Sequence, residues 1–423
     1  MSQELISQPL RLGNHLVAGY WRYLLPEELQ QLKYPAERRS ACMNCPKVVS
    51  DQFRQDYRCC TYFPRVPNFA LGLALIFEPQ SVPVIKKLIK DGFILPEGMI
   101  ASPDKWASYH VEVEEERYGK SEKVLCPFLD RSNGYCKIYP FRNSVCSTFF
   151  CLKDAGDCGE KFWDELQSLG SQCELALGQW VMGKADLCPD EYYENLDLMN
   201  PKDVVNQKDQ SWTRASRKVL WGSWFGKEEA FLRRCADIIM ENKSHLWSIA
   251  NHAQIREALR FEKKSITRVP AKHRAEARAE FNDEEGETVP PWKIWNQVLK
   301  IHGKLWTSPG GLMKLSDKIT ITDNTRQSET DTYWDQHTQK VIYFSGTGKN
   351  KETSDVEYIS EQESQALRLF SQLRSVDANL RNEIKTLTKR DPEDFLSEWN
   401  HKKVIVAHKA SGKSCPPPPD LNC

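Results

Sequence analysis

Apolar residues recur every three or four positions through residues 212–281, which is the spacing of amphipathic helices. The run NFALGLALIF at 68–77 is nearly all apolar and is typical of a buried strand or helix. Alternating or β-branched residues at 318–323 and 340–346 predict strands. The pattern therefore predicts a mainly helical chain with a small β element.

A long helix is predicted over residues 360–389, because a stripe of apolar residues falls on one of its faces. The stripe consists of Leu369, Leu373, Val376, Leu380 and Leu387. A helix that faces the core of its domain is the favoured interpretation, and a coiled coil with a partner is the alternative. Most of the tryptophans that crowd the middle of the chain are also expected to pack a helical core. They are Trp212, Trp221, Trp224, Trp247, Trp292, Trp295 and Trp306.

Polar, turn-rich segments divide the chain at 200–211 and 282–291. The predicted organisation is a cysteine-rich domain with a β-hairpin at 1–200, a helical, tryptophan-rich domain at 201–405, and a disordered, proline-rich tail at 406–423. The predicted fold class is α+β and mainly helical.

Composition and charge limit the classes of function. The 423 residues are 40% hydrophobic and 27% charged, which is typical of a soluble globular protein without membrane partners. The N-terminus lacks the pattern of a secretory signal, so the expected compartment is the reducing cytoplasm. Lys and Arg number 58, as do Asp and Glu, so the excess positive charge typical of nucleic-acid-binding proteins is missing.

Eight of the 14 cysteines are concentrated in two short runs. The upstream run contains Cys42, Cys45, Cys59 and Cys60, and the downstream run contains Cys126, Cys136, Cys146 and Cys151. In a reducing compartment, clustered cysteines indicate metal binding or catalysis more often than disulfides. One metal cation compensates several thiolates at once, so metal ligation is favoured over disulfides and over inert buried cysteines.

Local spacing supports ligation in both runs. Cys42 and Cys45 are three residues apart, which lets two thiolates reach one metal ion. Asn133–Gly134 is a favoured hairpin turn, because both residue types tolerate positive φ. This hairpin would bring Cys126 and Cys136 close together.

The spacing favours an iron–sulfur cluster, with zinc as the alternative. Structural zinc sites often use two C-x-x-C pairs, and these runs contain one. Iron–sulfur clusters are held mainly by cysteine and accept dispersed spacing. Neither run contains a histidine, which also fits ligation by thiolates alone.

The two runs resemble the YkgJ-type cysteine-cluster family, which is described as zinc- or iron-chelating. CPFLD at 126–130, CKIY at 136–139, Arg142 and CSTFFC at 146–151 follow the pattern of that family in order, and the upstream cysteines match its first part. The resemblance covers about residues 42–151 and implies that the eight cysteines are metal ligands.

Two features depart from the family pattern. Thirteen residues separate Cys45 from Cys59, where the family has only a few. Asn143 stands where the family has a proline, which would change the loop conformation. A similar cysteine cluster occurs in flagellin lysine methylases, which indicates one enzymatic possibility.

Other cysteines and motifs are interpreted more simply. Cys173 and Cys235 fall in predicted helices and are expected in the core, Cys158 is a spare ligand candidate, and the role of Cys188 is undefined. The run VIVAHKASGKS at 404–414 imitates a phosphate loop, but prolines follow where that motif needs a helix.

The resulting hypothesis is a cytoplasmic metalloprotein that binds an iron–sulfur cluster or zinc through thiolates. One version is an enzyme that modifies a protein or peptide substrate. The alternative is a non-catalytic protein for metal storage or delivery, or a zinc-stabilised scaffold. The sequence identifies no catalytic residue, and it leaves the oligomeric state open.

Overall fold

The structure of the protein is a computed structural model. It describes residues 2–13, 15–35, 48, 52–149, 156–253, 255–274, 289–305, 312–315, 320–323, 339–345, 353–371, 374–376, 378–402 and 404–407. The chain forms two compact units. The first unit consists of Met1–Leu152 and Phe162–Leu299, and the second consists of Lys153–Lys161 and Lys300–Cys423. Residue 200, at which the sequence predicts a domain boundary, lies within the first unit.

The fold is mainly helical with small antiparallel sheets, which confirms the predicted fold class at that level. Up to residue 305, the α-helices are Ser2–Ser7, Trp21–Leu24, Asn68–Phe77, Val82–Asp91, Pro103–Glu114, Ser144–Thr148, Gly156–Lys184, Pro189–Leu198, Arg214–Trp221, Glu228–Glu241, Leu246–His252, Leu259–Ser265 and Pro291–Leu305. Short 3₁₀-helices are Glu27–Gln31, Pro79–Ser81, Tyr139–Phe141, Gly222–Trp224, Lys243–His245, Ile266–Arg268 and Ala271–His273.

Two small sheets complete the first unit. Leu10–Leu12 pairs antiparallel with His15–Val17. A second, three-stranded antiparallel sheet has the order Val66–Pro67, Gly98–Met99, Ile94–Leu95.

The apolar run at 68–77 forms a helix, here called the core helix (Asn68–Phe77), which is buried from Asn68 to Leu75. It packs along the helix Glu228–Glu241. The two helices approach closely at Gly72, where an added Cβ atom would lie 2.0 Å from the carbonyl oxygen of Leu232. A glycine at this position therefore sets the distance between the two helices.

The core helix also supports the segments that lead to the downstream cysteines. The rings of Phe69 and Tyr20 meet edge to face at 5.4 Å, and those of Phe77 and Phe141 stack at 6.1 Å. The backbone N–H of Gly19 donates to the carbonyl oxygen of Pro140 at 2.9 Å. The N-terminal segment and the residues just before Cys146 are thus fixed to the same core.

No single helix in the described part of the chain is both long and apolar enough to cross a bilayer. The core helix and the following segment Pro79–Asp91 meet that criterion only as a pair, with a bend of 116° between them.

The second unit contains two further three-stranded antiparallel sheets. The strand order in one sheet is Arg374–Ser375, Leu312–Leu315, Ile405–Ala407. The strand order in the other sheet is Thr320–Asp323, Gln339–Ser345, Thr353–Ile359. The helices of this region are Glu361–Arg368, Ala378–Thr388 and Pro392–His401, with a 3₁₀-helix at Leu369–Ser371. The strands predicted at 318–323 and 340–346 are confirmed, whereas residues 408–423 of the predicted tail lie outside the described residues.

The prediction of one long helix over 360–389 is wrong. The first helix ends at Arg368, and the second begins only at Ala378. Between them, Arg374–Ser375 pairs with a strand, Arg374 opposite Met313, so these backbone groups join a sheet and not a helix. Apolar periodicity cannot distinguish one helix from two whose apolar faces meet the same core.

The predicted apolar stripe nevertheless faces a core. Val376 and Leu380 are buried there, and Leu369 and Leu387 pack against it. Leu373 lies outside the described residues. Of the seven tryptophans, Trp212, Trp221 and Trp295 are buried, Trp224 and Trp247 are partly buried, Trp292 is exposed, and Trp306 lies outside the described residues.

We expect Gly72→Ala to lower the free energy of unfolding by about 2 kcal/mol or more, because its methyl group would force two packed helices apart. The matched control is Gly178→Ala, another helical glycine, where the added Cβ would meet only Asn68 Oδ1 at an ordinary 3.7 Å. This control should be neutral or stabilising, since alanine favours helix. Urea denaturation of both variants measures the difference, and equal stabilities would contradict the packing described here.

Candidate metal centre

Cys126 and Cys136 flank a hairpin turn that one isolated bridge closes, without the two strands of the predicted β-hairpin. Leu129 and Cys136 form an antiparallel bridge. The N–H of Lys137 donates to the carbonyl oxygen of Phe128 at 2.9 Å. The two cysteines are therefore neighbours because of the turn between them.

The turn is built differently from the predicted one. Of the Asn133–Gly134 pair, only Gly134 adopts a positive φ, +72°. The side chain of Asn133 instead accepts a hydrogen bond from the N–H of Tyr135 at 2.9 Å. The guanidinium of Arg58 lies directly over Gly134, where an added Cβ would be 1.3 Å from Nη1. Glycine is thus needed both for the backbone conformation and for this close contact.

The upstream residues Cys59 and Cys60 are joined to the hairpin by its backbone. The N–H of Cys126 donates to the carbonyl oxygen of Cys60 at 2.7 Å. An ion pair of 2.7 Å between Asp56 and Arg131 links the same two segments near the tip of the hairpin. Two runs that are distant in the sequence therefore meet at one place.

Cys146 lies on a five-residue helix, Ser144–Thr148, here called the Cys146 helix. Its N-cap is Asn143, whose side-chain oxygen accepts the N–H of Cys146 at 3.1 Å. Proline at this position has no such side chain. The departure of Asn143 from the family pattern therefore supplies a helix cap next to a predicted ligand.

The thiols of the downstream run interact with one another. Burial raises the pKa of the Cys126 thiol well above its usual range, and Cys136 and Cys146 raise it further. Burial and Cys136 raise the pKa of Cys146 to about 12, although Arg142 opposes this shift. Burial and the neighbouring thiols therefore both favour the protonated form of Cys126 and Cys146.

The surroundings of Cys126 also include groups that favour its thiolate form. The backbone N–H groups of Phe128 and Leu129 hydrogen-bond its sulfur and act against the rise in its pKa. Such bonds favour the thiolate over the thiol. The hairpin backbone therefore provides part of the environment that a metal-bound sulfur needs.

Tyr118 lies where both runs meet. Its hydroxyl donates to the carbonyl oxygen of Cys59 at 3.1 Å. Burial raises the pKa of Tyr118, and the causes that add to the shift include Cys59, Cys146 and Cys60. Sulfurs of both runs are thus within electrostatic range of one phenol.

Five of the eight predicted ligands, Cys59, Cys60, Cys126, Cys136 and Cys146, lie within the described residues, and a backbone hydrogen bond joins Cys60 to Cys126. Cys42, Cys45 and Cys151 lie outside the described residues. Within the described ranges, no three His, Cys, Asp or Glu side chains are already arranged to hold a metal ion.

The cysteines outside the two runs differ in their surroundings. Cys173 and Cys235 are fully buried, as expected of core residues. Cys188 is exposed at the start of the helix Pro189–Leu198. The side chain of Cys158 lies outside the described part of the chain.

Sequence reasoning did not identify Glu174, a buried carboxyl group behind the Cys146 helix. One of its oxygens lies 2.7 Å from the hydroxyl of Tyr20, and the other accepts both the N–H and the hydroxyl of Ser144 at 3.0 Å. Burial raises the pKa of Glu174 to about 7, and these hydrogen bonds oppose the shift. The available signal was a charged residue beside Cys173 and near Leu177 in a helix with many apolar residues.

His15 contacts the same short helix, with its Nε2 hydrogen-bonded to the carbonyl oxygen of Ser147. Burial and the positive charge of Arg142 together lower the pKa of His15 from 6.5 to about 4, against the opposing effect of the hydrogen bond to Ser147. The folded protein therefore holds His15 neutral at a pH at which the unfolded chain is protonated. Stability from this group is full above pH 6.5 and is lost as the pH falls toward 4.

We expect His15→Gln to be less sensitive to acid than the wild type, because glutamine keeps an N–H donor but does not titrate. The difference in unfolding free energy between the two proteins should change by about 3 kcal/mol between pH 7 and pH 4. Urea denaturation across this range measures it. His252→Gln, at an exposed histidine, is the control, and a His15→Gln profile parallel to the wild type would contradict the assignment.

Comparison with known proteins adds no relative: no family model, no curated protein and no solved structure matches the chain. The resemblance to the YkgJ-type family rests on the residues quoted above.

Proposed function

We propose that this chain is a metalloprotein whose centre is held by thiolates from both cysteine runs. The observation that carries the proposal is the backbone hydrogen bond between Cys60 and Cys126, which joins the two runs beside the turn that ends at Cys136. Inert core cysteines do not require such convergence, as the separately buried Cys173 and Cys235 illustrate.

The chemistry of the donor set fits a metal. Several partly buried sulfurs repel one another's negative charge, so they stay protonated unless a cation compensates them. A metal ion or cluster supplies that compensation and displaces the protons. The N–H groups directed at Cys126 and the charge of Arg142 near Cys146 support the same ionised state.

An iron–sulfur cluster remains the favoured occupant and zinc the alternative. Ligand spacing is the basis of this preference. A bound cluster would supply electron transfer, whereas zinc would cross-link the loops. Modification of a protein or peptide substrate stays a prediction from the sequence.

One observation favours a second candidate function, metal delivery. The five described cysteines of the two runs all keep partial exposure, whereas Cys173 and Cys235 have none. A thiol or a chelator that exchanges the metal can reach a partly exposed centre. Metal delivery requires this access, whereas a closed structural centre does not require it.

The full chain, purified without oxygen, should contain metal that depends on the described thiols. We expect Cys126→Ser and Cys146→Ser to lose most of the iron and acid-labile sulfide, or most of the zinc, found in the wild type. Cys188→Ser, at an exposed cysteine outside both runs, should retain it. Metal analysis with a visible absorption spectrum measures this.

The outcomes distinguish an iron–sulfur cluster from zinc, and they distinguish a metal centre from a chain that binds no metal. Brown protein with iron and sulfide supports a cluster, and colourless protein with stoichiometric zinc replaces it by a zinc centre. Wild-type protein without metal, or variants with full metal content, would refute thiolate ligation.

A further inference from the structure

We propose that Glu174 is the positioning residue of the proposed centre and that it holds the Cys146 helix in the orientation required for ligation. This inference rests on the proposed function. It concerns a residue that belongs to neither cysteine run, and it is carried by hydrogen bonds and packing.

The Cys146 helix cannot hold its own position. It has five residues, and so short a helix is unstable in isolation. Its first residue, Ser144, gives both its backbone N–H and its hydroxyl to Glu174 at 3.0 Å. The carboxyl group thus fixes the first turn of the helix, two residues before the Cys146 sulfur.

Glu174 connects this turn to the N-terminal segment. Its other oxygen lies 2.7 Å from the hydroxyl of Tyr20 and 3.4 Å from the indole nitrogen of Trp21. The same Tyr20 hydroxyl lies 2.8 Å from the carbonyl oxygen of Arg142, just before the Asn143 cap. The chain on both sides of the cap is therefore tied to one carboxyl group.

Packing from the same helix face reinforces the contact. An added Cβ at Gly170, one turn before Glu174, would lie 2.9 Å from the side chain of Ser144. The hydroxyls of Ser171 and Ser144 are 2.7 Å apart, and Thr148 donates to Gln167 at 3.1 Å. The helix is held along its length, and Glu174 is the contact at its N-terminal end.

The hydrogen-bond donors and acceptors around the Tyr20 hydroxyl indicate which substitution of Glu174 should preserve these hydrogen bonds. The Tyr20 hydroxyl has one proton and two acceptors within reach, Glu174 and the Arg142 carbonyl. If the Glu174 carboxyl is neutral, it donates to Tyr20, and Tyr20 donates to Arg142. Glutamine supplies an NH₂ donor and one oxygen acceptor in the same shape, so Glu174→Gln should keep the bonds to Tyr20 and Ser144.

The test uses Co(II) as the probe, titrated into the reduced full chain without oxygen. Absorption from sulfur-to-cobalt charge transfer reports both the affinity and the number of thiolates bound. We expect Glu174→Ala to weaken Co(II) binding by about 10-fold or more, the effect typical of removing a group that orients a ligand. It should also lower the intensity of the band at saturation, whereas Glu174→Gln should restore both values.

The matched control is Glu97, another buried carboxylate, which accepts the hydroxyls of Tyr192 and Tyr193 at 2.9 and 2.8 Å. Glu97→Ala should lower stability but leave the Co(II) affinity and band unchanged, because its partners lie outside both cysteine runs. Glu174→Asp withdraws the carboxyl group from Ser144 by one methylene and should weaken binding if Glu174→Ala does not fold.

The outcomes distinguish the two proposals. Wild-type affinity and intensity in Glu174→Ala, or in Glu174→Asp where that variant replaces it, would overturn the positioning role alone. A wild-type chain that binds no Co(II) through sulfur and is purified without iron, sulfide or zinc would overturn the metal centre and, with it, this inference. An equal effect of Glu97→Ala would show that general destabilisation is the cause.

Discussion

The hydrogen bond from the N–H of Cys126 to the carbonyl oxygen of Cys60 is the contact on which the candidate centre depends. It joins two segments with little regular secondary structure, neither of which holds its cysteines in place alone. The exposed Asp56–Arg131 ion pair and the packing of the buried Arg58 over Gly134 hold the same junction. Without this junction the two runs would be separate loops.

The surroundings of the sulfurs contain opposing influences on their charge. Burial and the neighbouring sulfurs favour the neutral thiol, whereas Arg142 and the N–H groups of the hairpin favour the thiolate. A metal cation changes this balance by compensating several sulfurs together. The protein therefore combines a cost for unpaired thiolates with local features that stabilise them once a cation is present.

Local signals allowed part of the site and the fold to be predicted. The turn between Cys126 and Cys136 follows from Gly134, and the burial of the run at 68–77 follows from its almost entirely apolar composition. The break near Arg374 could not be predicted, because it depends on pairing with a distant strand. Glu174 was missed for the same reason: its role comes from Ser144 and Tyr20, which lie 30 and 154 positions away. Asn143 appeared in the sequence as a departure from a family pattern, and only its bond to Cys146 shows what it does.

The central claim is that thiolates of both runs bind one metal centre, and X-ray absorption at the edge of the bound metal tests it most directly. The account predicts a first shell of sulfur only in the wild type, at about 2.3 Å if the metal is zinc. It also predicts fewer sulfurs per metal, or loss of the metal, when Cys59 and Cys60 are both replaced by serine. A first shell dominated by nitrogen and oxygen, or a sulfur shell unchanged by that double substitution, would contradict it.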